Sequence, residues 1–323
     1  MHDLELLGGL VGVKHWRAYR AGLRSRLMTR EHRDERTARA NQGANRLLWG
    51  TVLLGSVVVV AIALAPRLSQ PAEEKVTPVE ITPEAPVRAV AAPIEELGVR
   101  VIRAYPHAVD AFTQGFLWNG GVLYESTGRY GRSSLRKVRL EDGKVLAERR
   151  LEPDVFGEGL ALVDGRLIQL TWREELAIVS DLATLQETNR LRYRGEGWGL
   201  CFDGQALVMS DGSSILEFRD PDTMELIREV SVLENGHPVP RLNELECVGS
   251  DVYANIWQHD EILRIDGKTG RVTGSIDASR LLSQSEAASA DVLNGIAYKP
   301  DTQTFLLTGK LWPHVFEVEI VPR

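Results

Sequence analysis

The chain has 323 residues, 43% hydrophobic and 26% charged, an ordinary composition for a globular protein and enough for one large domain or two small ones. Its net charge of −7 is unevenly spread: residues 1–46 carry Lys14 and nine arginines against five Asp/Glu, a balance of +5, which leaves −12 on the rest. An acidic body argues against nucleic acid as the principal partner.

In chain order, the basic segment 1–46 comes first, then LLWGTVLLGSVVVVAIALA at 47–65. Those nineteen uncharged, mostly apolar residues are about the length a helix needs to cross a bilayer, so one transmembrane helix is expected there. The region before it is too long for a cleaved signal peptide. With Lys/Arg concentrated ahead of the span, the N-terminus is expected in the cytoplasm and everything after residue 66 outside it, in the periplasm or the extracellular space. The basic arm either lies on anionic lipid or is a solvated tail that only sets topology. Residues 66–97 read as a linker. Six of the fourteen prolines (Pro66, Pro71, Pro78, Pro83, Pro86, Pro93) fall in it, and such a segment is extended, semi-rigid and unable to form a core.

Residues 98–323 repeat. FTQGF (112–116), FGEGL (156–160), EGWGL (196–200), LNELE (242–246) and LNGIA (293–297) align so that one column holds Gln114, Glu158, Trp198, Asn243 and Asn294. A second motif follows each (LYESTG, IQLTW, LVMSDG, YANIW, LLTGK), and then a third (SLRKVRL, LAIVSDL, ILEFRDP, ILRIDGKTG, HVFEVEI). Each is a short apolar or β-branched run bounded by Gly, Asp or Asn, hence a strand with hairpin turns. Four copies add a fourth strand: KVLAERRL, LQETNRLRY, MELIREVSV and RVTGSID. The fifth copy lacks one, and GVRVIRAYP at 98–106 resembles the others. A five-bladed β-propeller is expected, an all-β ring in which Val99–Tyr105 completes the last blade and removes the open edge.

In that architecture the first strand of each blade lines the axis, and its repeated non-apolar position points to one mouth. Gln114, Glu158, Trp198, Asn243 and Asn294 would converge there, with Thr127, Trp172, Asp211, Trp257 and Lys310 at the ends of the second strands. Aromatic walls around a few polar groups describe a small-ligand site. Asp211 could line the axis or only cap the SDGSS turn at 210–214. Two cysteines are too few for a structural zinc site. Cys201 and Cys247 occupy neighbouring first strands; a disulfide is permitted outside the cytoplasm, but buried free thiols are the expectation. The seven histidines show no ligand spacing, and His107 has no partner visible in the sequence. No metal or cofactor is expected. A catalytically silent propeller on a stalk, binding envelope proteins or polymers, is the alternative to an enzyme. A lactonase-type propeller would need more axial carboxylates than Glu158 and Asp211.

The stretches AFTQGF…LYESTGRYGRSSLRKV (111–138), FGEGLAL (156–162), GEGWGL (195–200), LVMSDGSSIL (207–216), LNELE…ANIW (242–257), LNGIAY (293–298) and TGKLWPHVFEVE (308–319) resemble the plant and bacterial glutaminyl-peptide cyclotransferase family. The resemblance spans nearly all of 98–323, keeps the motif order and does not cover residues 1–97. It implies a five-bladed propeller that converts an N-terminal glutamine of peptides or proteins to pyroglutamate, releasing ammonia without a catalytic metal. The family's acid/base carboxylate corresponds to Glu158. Its pocket aromatics correspond to Phe112, Phe156, Trp172, Trp198 and Trp257, and its polar positioners to Gln114, Asn243 and Lys310. Some bacterial members carry Glu at the position of Gln114, which leaves Glu158 here as the sole acid/base candidate. Lys310 or Asn243 would serve as donor to the amide oxygen, and Asn294 and Asp211 complete the expected substrate contacts.

Overall fold

Short apolar or β-branched runs, broken by turn residues, build strands throughout the described part of the chain. The computed structural model describes residues 92–323. The basic arm, the expected membrane-spanning run 47–65 and most of the Pro-rich linker lie outside the described residues. Among the described residues no helix is long and apolar enough to cross a membrane.

After β1 (Glu95–Pro106), three antiparallel four-stranded sheets follow in order. The first holds β2 (Thr113–Asn119), β3 (Val122–Thr127), β4 (Ser134–Arg139) and β5 (Lys144–Arg150). The second holds β6 (Gly157–Val163), β7 (Arg166–Thr171), β8 (Leu176–Asp181) and β9 (Glu187–Arg192). The third holds β10 (Leu200–Phe202), β11 (Leu207–Met209), β12 (Ile215–Arg219) and β13 (Leu226–Ser231). A small hairpin, β14 (Leu233–Glu234) and β15 (His237–Pro238), leads on to β16 (Leu242–Val248), β17 (Asp251–Ile256), β18 (Glu261–Asp266) and β19 (Val272–Asp277). A one-turn helix, α1 (Gln284–Ala287), precedes β20 (Leu293–Lys299), β21 (Thr304–Gly309) and β22 (His314–Pro322). β1 runs antiparallel to β22, with Val99 opposite Ile320 and Tyr105 opposite Val315. Its start also pairs in parallel with β19, Glu95 opposite Gly274, which joins β16–β19 and β20–β22 into one eight-stranded sheet. β1 therefore adds a fourth strand to β20–β22, as its sequence suggested.

The first strands of the five groups lie each against the next, and β20 against β2, in a closed circuit. What lets them approach is the glycine after the column residue. A Cβ on Gly115 or on Gly159 would lie 2.5 Å from the backbone nitrogen of Leu160 or of Leu200, and one on Gly199 would collide with the carbonyl of Asn243. The fourth copy has Glu244 in place of that glycine. Its carboxylate accepts the backbone N–H groups of Phe116 (3.2 Å) and Ile296 (2.8 Å), so this side chain ties β2, β16 and β20 together. Burial pushes its pKa well above the usual carboxylate range.

The core lies between consecutive sheets. Tyr124 and Leu135 of the first sheet meet Leu160 and Leu167 of the second, and Ala161 and Ile168 meet Leu207 and Met209 of the third. Val208 and Phe218 meet Val252 and Leu263, Ile262 and Ile276 meet Ile296 and Phe305, and Leu306 and Ala297 return to Phe116 and Leu123. Outer strands β5, β9 and β13 are largely exposed and carry the charges that discourage edge pairing. Between third and fourth strands, Asp181, Asp220 and Asp266 each accept the backbone N–H and hydroxyl of a threonine three residues on.

One expectation is corrected. Cys201 and Cys247 are a disulfide, not free thiols, with Cα atoms 5.5 Å apart. Adjacency of β10 and β16 brings the two within bonding reach, which spacing along the chain could not decide.

Gly199→Ala tests the close approach of the inner strands. The backbone at Gly199 is outside the left-handed region, so only the collisions with Asn243 and Leu245 should matter. We expect a loss of about 3 kcal/mol in chemical denaturation, at the upper end of ordinary overpacking costs. Unchanged stability would mean that these strands do not pack as described.

Candidate active site

The fold brings the expected residues to one end of the sheets by a repeated backbone contact. The residue after the second strand donates its N–H to the residue two before the column position: Gly128 to Phe112 (2.8 Å), Trp172 to Phe156 (2.9 Å), Trp257 to Arg241 (2.9 Å) and Lys310 to Val292 (3.0 Å). Strand exits and strand entries are thereby pinned around the same mouth.

The floor is polar and buried. Glu158 is 4% exposed, and Gln114 Nε2 donates to its Oε1 at 2.7 Å. Asn294 Nδ2 in turn donates to Gln114 Oε1 (3.3 Å) and to the Thr113 carbonyl (3.0 Å), which fixes the Gln114 amide. Asn243 and Lys310 are also buried. The Asn243 carbonyl accepts from Ser210 Oγ at 2.7 Å, and Lys310 Nζ lies 5.0 Å from the centre of the Phe112 ring. Burial pushes the Glu158 carboxyl well above its usual pKa, and Glu196 and Glu174 add to the rise. Lys310 and the Gln114 hydrogen bond oppose it. Burial lowers the Lys310 ammonium, with Glu158 opposing. Each is therefore poised nearer to neutrality than an exposed Glu or Lys.

The walls are aromatic, and most of them reach solvent. Phe112 meets Phe156 edge-on at 6.3 Å, and Phe156 meets Trp172 at 5.5 Å and Tyr130 at 5.4 Å. In a second run, Trp198 meets Trp257 edge-on at 5.7 Å. Phe156, Trp172, Trp198 and Trp257 are half-buried, so a dry wall faces an open mouth over the buried carboxylate. A separate cavity of about 600 Å³, lined by Leu97, Tyr253, Tyr298 and Phe305 among others, shares no residue with this cluster. Two of its charged lining residues, Arg264 and Glu95, pair with each other at 3.0 Å.

The profile of the glutamine cyclotransferase family matches residues 73–320. The chain belongs to that family. A glutaminyl-peptide cyclotransferase of Arabidopsis thaliana is 43% identical over 227 residues, 69% of this chain and 71% of that one. The crystal structure of Myxococcus xanthus glutaminyl cyclase is similar at a TM-score of 0.68 and 42% identity, covering 72% of this chain and 100% of that one.

Within this glutamine cyclotransferase framework most of the expected residues gather, but two do not. Asp211 is exposed and accepts the Ser213 N–H at 2.9 Å, so it caps its turn. Thr127 faces its own sheet, sharing a hydrogen bond with Ser134 Oγ at 2.8 Å. Two residues, Glu196 and Glu125, escaped sequence reasoning. Glu196 stands two before Trp198, in the position that Phe112 and Phe156 hold in their copies, and accepts from both Trp172 and Trp198. That positional match was the available signal. His107 proves to have a partner: it donates from Nε2 to Glu125 (2.9 Å) and from Nδ1 to the Trp312 carbonyl (2.8 Å). Glu125 raises the His107 pKa against the opposing effect of burial, and His107 holds Glu125 low. This buried pair braces the turn that carries Lys310. No contiguous motif joins Glu125 to His107, since the hydrogen bond crosses between two loops and a strand.

Proposed function

We propose that this chain is a glutaminyl-peptide cyclotransferase acting through a five-bladed β-propeller, with Glu158 as its acid/base group. The observation that carries the reading is a carboxylate that is buried, held by Gln114, flanked by Lys310 and ringed by aromatics that open to solvent. Membership of the glutamine cyclotransferase family and the similarity to two proteins bearing that activity in their names support it.

The reaction is intramolecular. The neutral α-amine of an N-terminal glutamine attacks the side-chain amide carbon, a C–N bond forms, and the bond to the amide nitrogen breaks with loss of ammonia. Holding the glutaminyl chain folded between the aromatic walls supplies proximity. Glu158 takes a proton from the attacking amine and returns it to the departing nitrogen, so no net proton is gained or lost. A raised pKa suits a group that must do both near neutrality. Lys310 or Asn243 donates to the amide oxygen as negative charge develops there. Phe112, Phe156, Trp172, Trp198 and Trp257 exclude water, so that hydrolysis to glutamate does not compete. Gln114 and Asn294 keep Glu158 aimed. Every step is assigned to a side chain, so the reaction is read as metal-independent.

The apolar run 47–65, preceded by a basic segment, supports a single membrane anchor with the N-terminus in the cytoplasm and the enzyme outside it. The disulfide is compatible with an oxidising compartment.

Glu158→Gln keeps size and hydrogen-bonding capacity but cannot relay a proton. We expect an unchanged circular dichroism spectrum, unchanged KM and a kcat lowered ~10²–10⁴-fold. Wild-type kcat/KM should rise with pH through the amine pKa, about 7.7–8, because only the neutral amine attacks. It should fall again as Lys310 loses its proton, below the usual 10.5. EDTA should leave the rate unchanged. Near-full turnover by Glu158→Gln would remove Glu158 from the mechanism.

Topology is checked with a reporter active only outside the cytoplasm. Fused after Arg323 it should be active, and fused at Arg46 it should be silent. The reverse pattern would refute the anchor.

A further inference from the structure

The aromatic walls consist of two runs, Phe112–Phe156–Trp172 and Trp198–Trp257. One carboxylate joins them. Glu196 Oε2 accepts the indole N–H of Trp172 at 2.8 Å and that of Trp198 at 3.2 Å. An indole has a single donor and a carboxylate oxygen has two lone pairs, so this one oxygen serves both rings. The other oxygen, Oε1, accepts Arg173 Nε at 3.1 Å, and the Arg173 guanidinium lies 3.7 Å from the centre of the Trp172 ring. Glu196 is thus held on both oxygens, and Trp172 is held at its nitrogen and on its face.

We propose that Glu196 is a positioning residue that sets the width of the substrate slot by fixing Trp172 and Trp198 on a single oxygen. The inference rests on the cyclotransferase reading of this site. A glutaminyl chain must be folded back on itself for its amine to reach its amide carbon, and aromatic walls held at a fixed spacing select that compact shape. If the two indoles turn independently, the slot widens, extended conformers enter and binding weakens. The chemical step on a correctly folded substrate still belongs to Glu158. Glu196 therefore acts on KM more than on kcat. Its contribution to stability is small, because the Arg173–Glu196 pair is well exposed, with side-chain exposures of 37% and 39%.

The test uses the full chain with Glu196→Ala and Glu196→Gln. Substrate is a Gln-initiated dipeptide followed by ammonia release, and acrylamide quenching of tryptophan emission is read without substrate. For Glu196→Ala we expect KM raised at least ~10-fold, kcat within ~3-fold of wild type, stronger quenching and a thermal midpoint within a few degrees, the pattern of lost uniform binding. Glu196→Gln keeps a carbonyl oxygen able to accept both indoles and should restore KM and quenching to near wild-type values. Unchanged KM or unchanged quenching in Glu196→Ala overturns the proposal, as does a Glu196→Gln as impaired as Glu196→Ala. If the wild type releases no ammonia, the cyclotransferase reading fails, and the quenching comparison still decides whether Glu196 holds the two rings.

Discussion

The close approach of the inner strands is the constraint from which the rest follows. Gly115, Gly159 and Gly199 have no room for a Cβ because the neighbouring backbone occupies it. That contact brings β2, β6, β10 and β16 side by side, and it forces the residue before each glycine to the same end of the circuit. Convergence of Gln114, Glu158, Trp198 and Asn243 is a consequence of this spacing. Where the glycine is replaced, at Glu244, the larger side chain is accommodated by binding two backbone N–H groups, so the position still ties strands together.

The same closure explains why a carboxylate at that place has unusual chemistry. Glu158 sits where strands crowd and water is excluded, and the electrostatic cost of burying its charge raises its pKa. Lys310 stands on the turn between β21 and β22, which the buried His107–Glu125 pair braces. Burial shifts both groups toward their neutral forms, and each opposes the shift of the other. On the mechanism proposed here, the fold accepts two costly burials so that one proton can move both ways near neutral pH.

Much of this was legible in the sequence. The repeat, the column of polar residues and the closing strand are local patterns at a regular period, and period is what a chain displays. Pairings between one sheet and the next are not. That β10 and β16 would bring Cys201 within reach of Cys247, that His107 would meet Glu125, and that Glu196 would reach Trp172 depend on the angle between neighbouring sheets. Asp211 shows the converse. Its place after a second strand matched that of Trp172 and Lys310, but a short β11 and a tight turn left its carboxylate capping Ser213. The threonines bound by Asp181, Asp220 and Asp266 mark a further repeat, Asp-x-x-Thr, that the strand pattern alone did not reveal.

The central claim is that the buried site closes an N-terminal glutamine on itself. Mass spectrometry on one pair of peptides tests it most directly: a Gln-initiated peptide and the same peptide acetylated at its N-terminus, each incubated with the full chain. The account predicts loss of one ammonia from the free peptide and none from the acetylated one, whose blocked nitrogen cannot attack. Ammonia loss from both peptides would point to hydrolysis or another amide chemistry, and loss from neither would leave the site without the activity proposed.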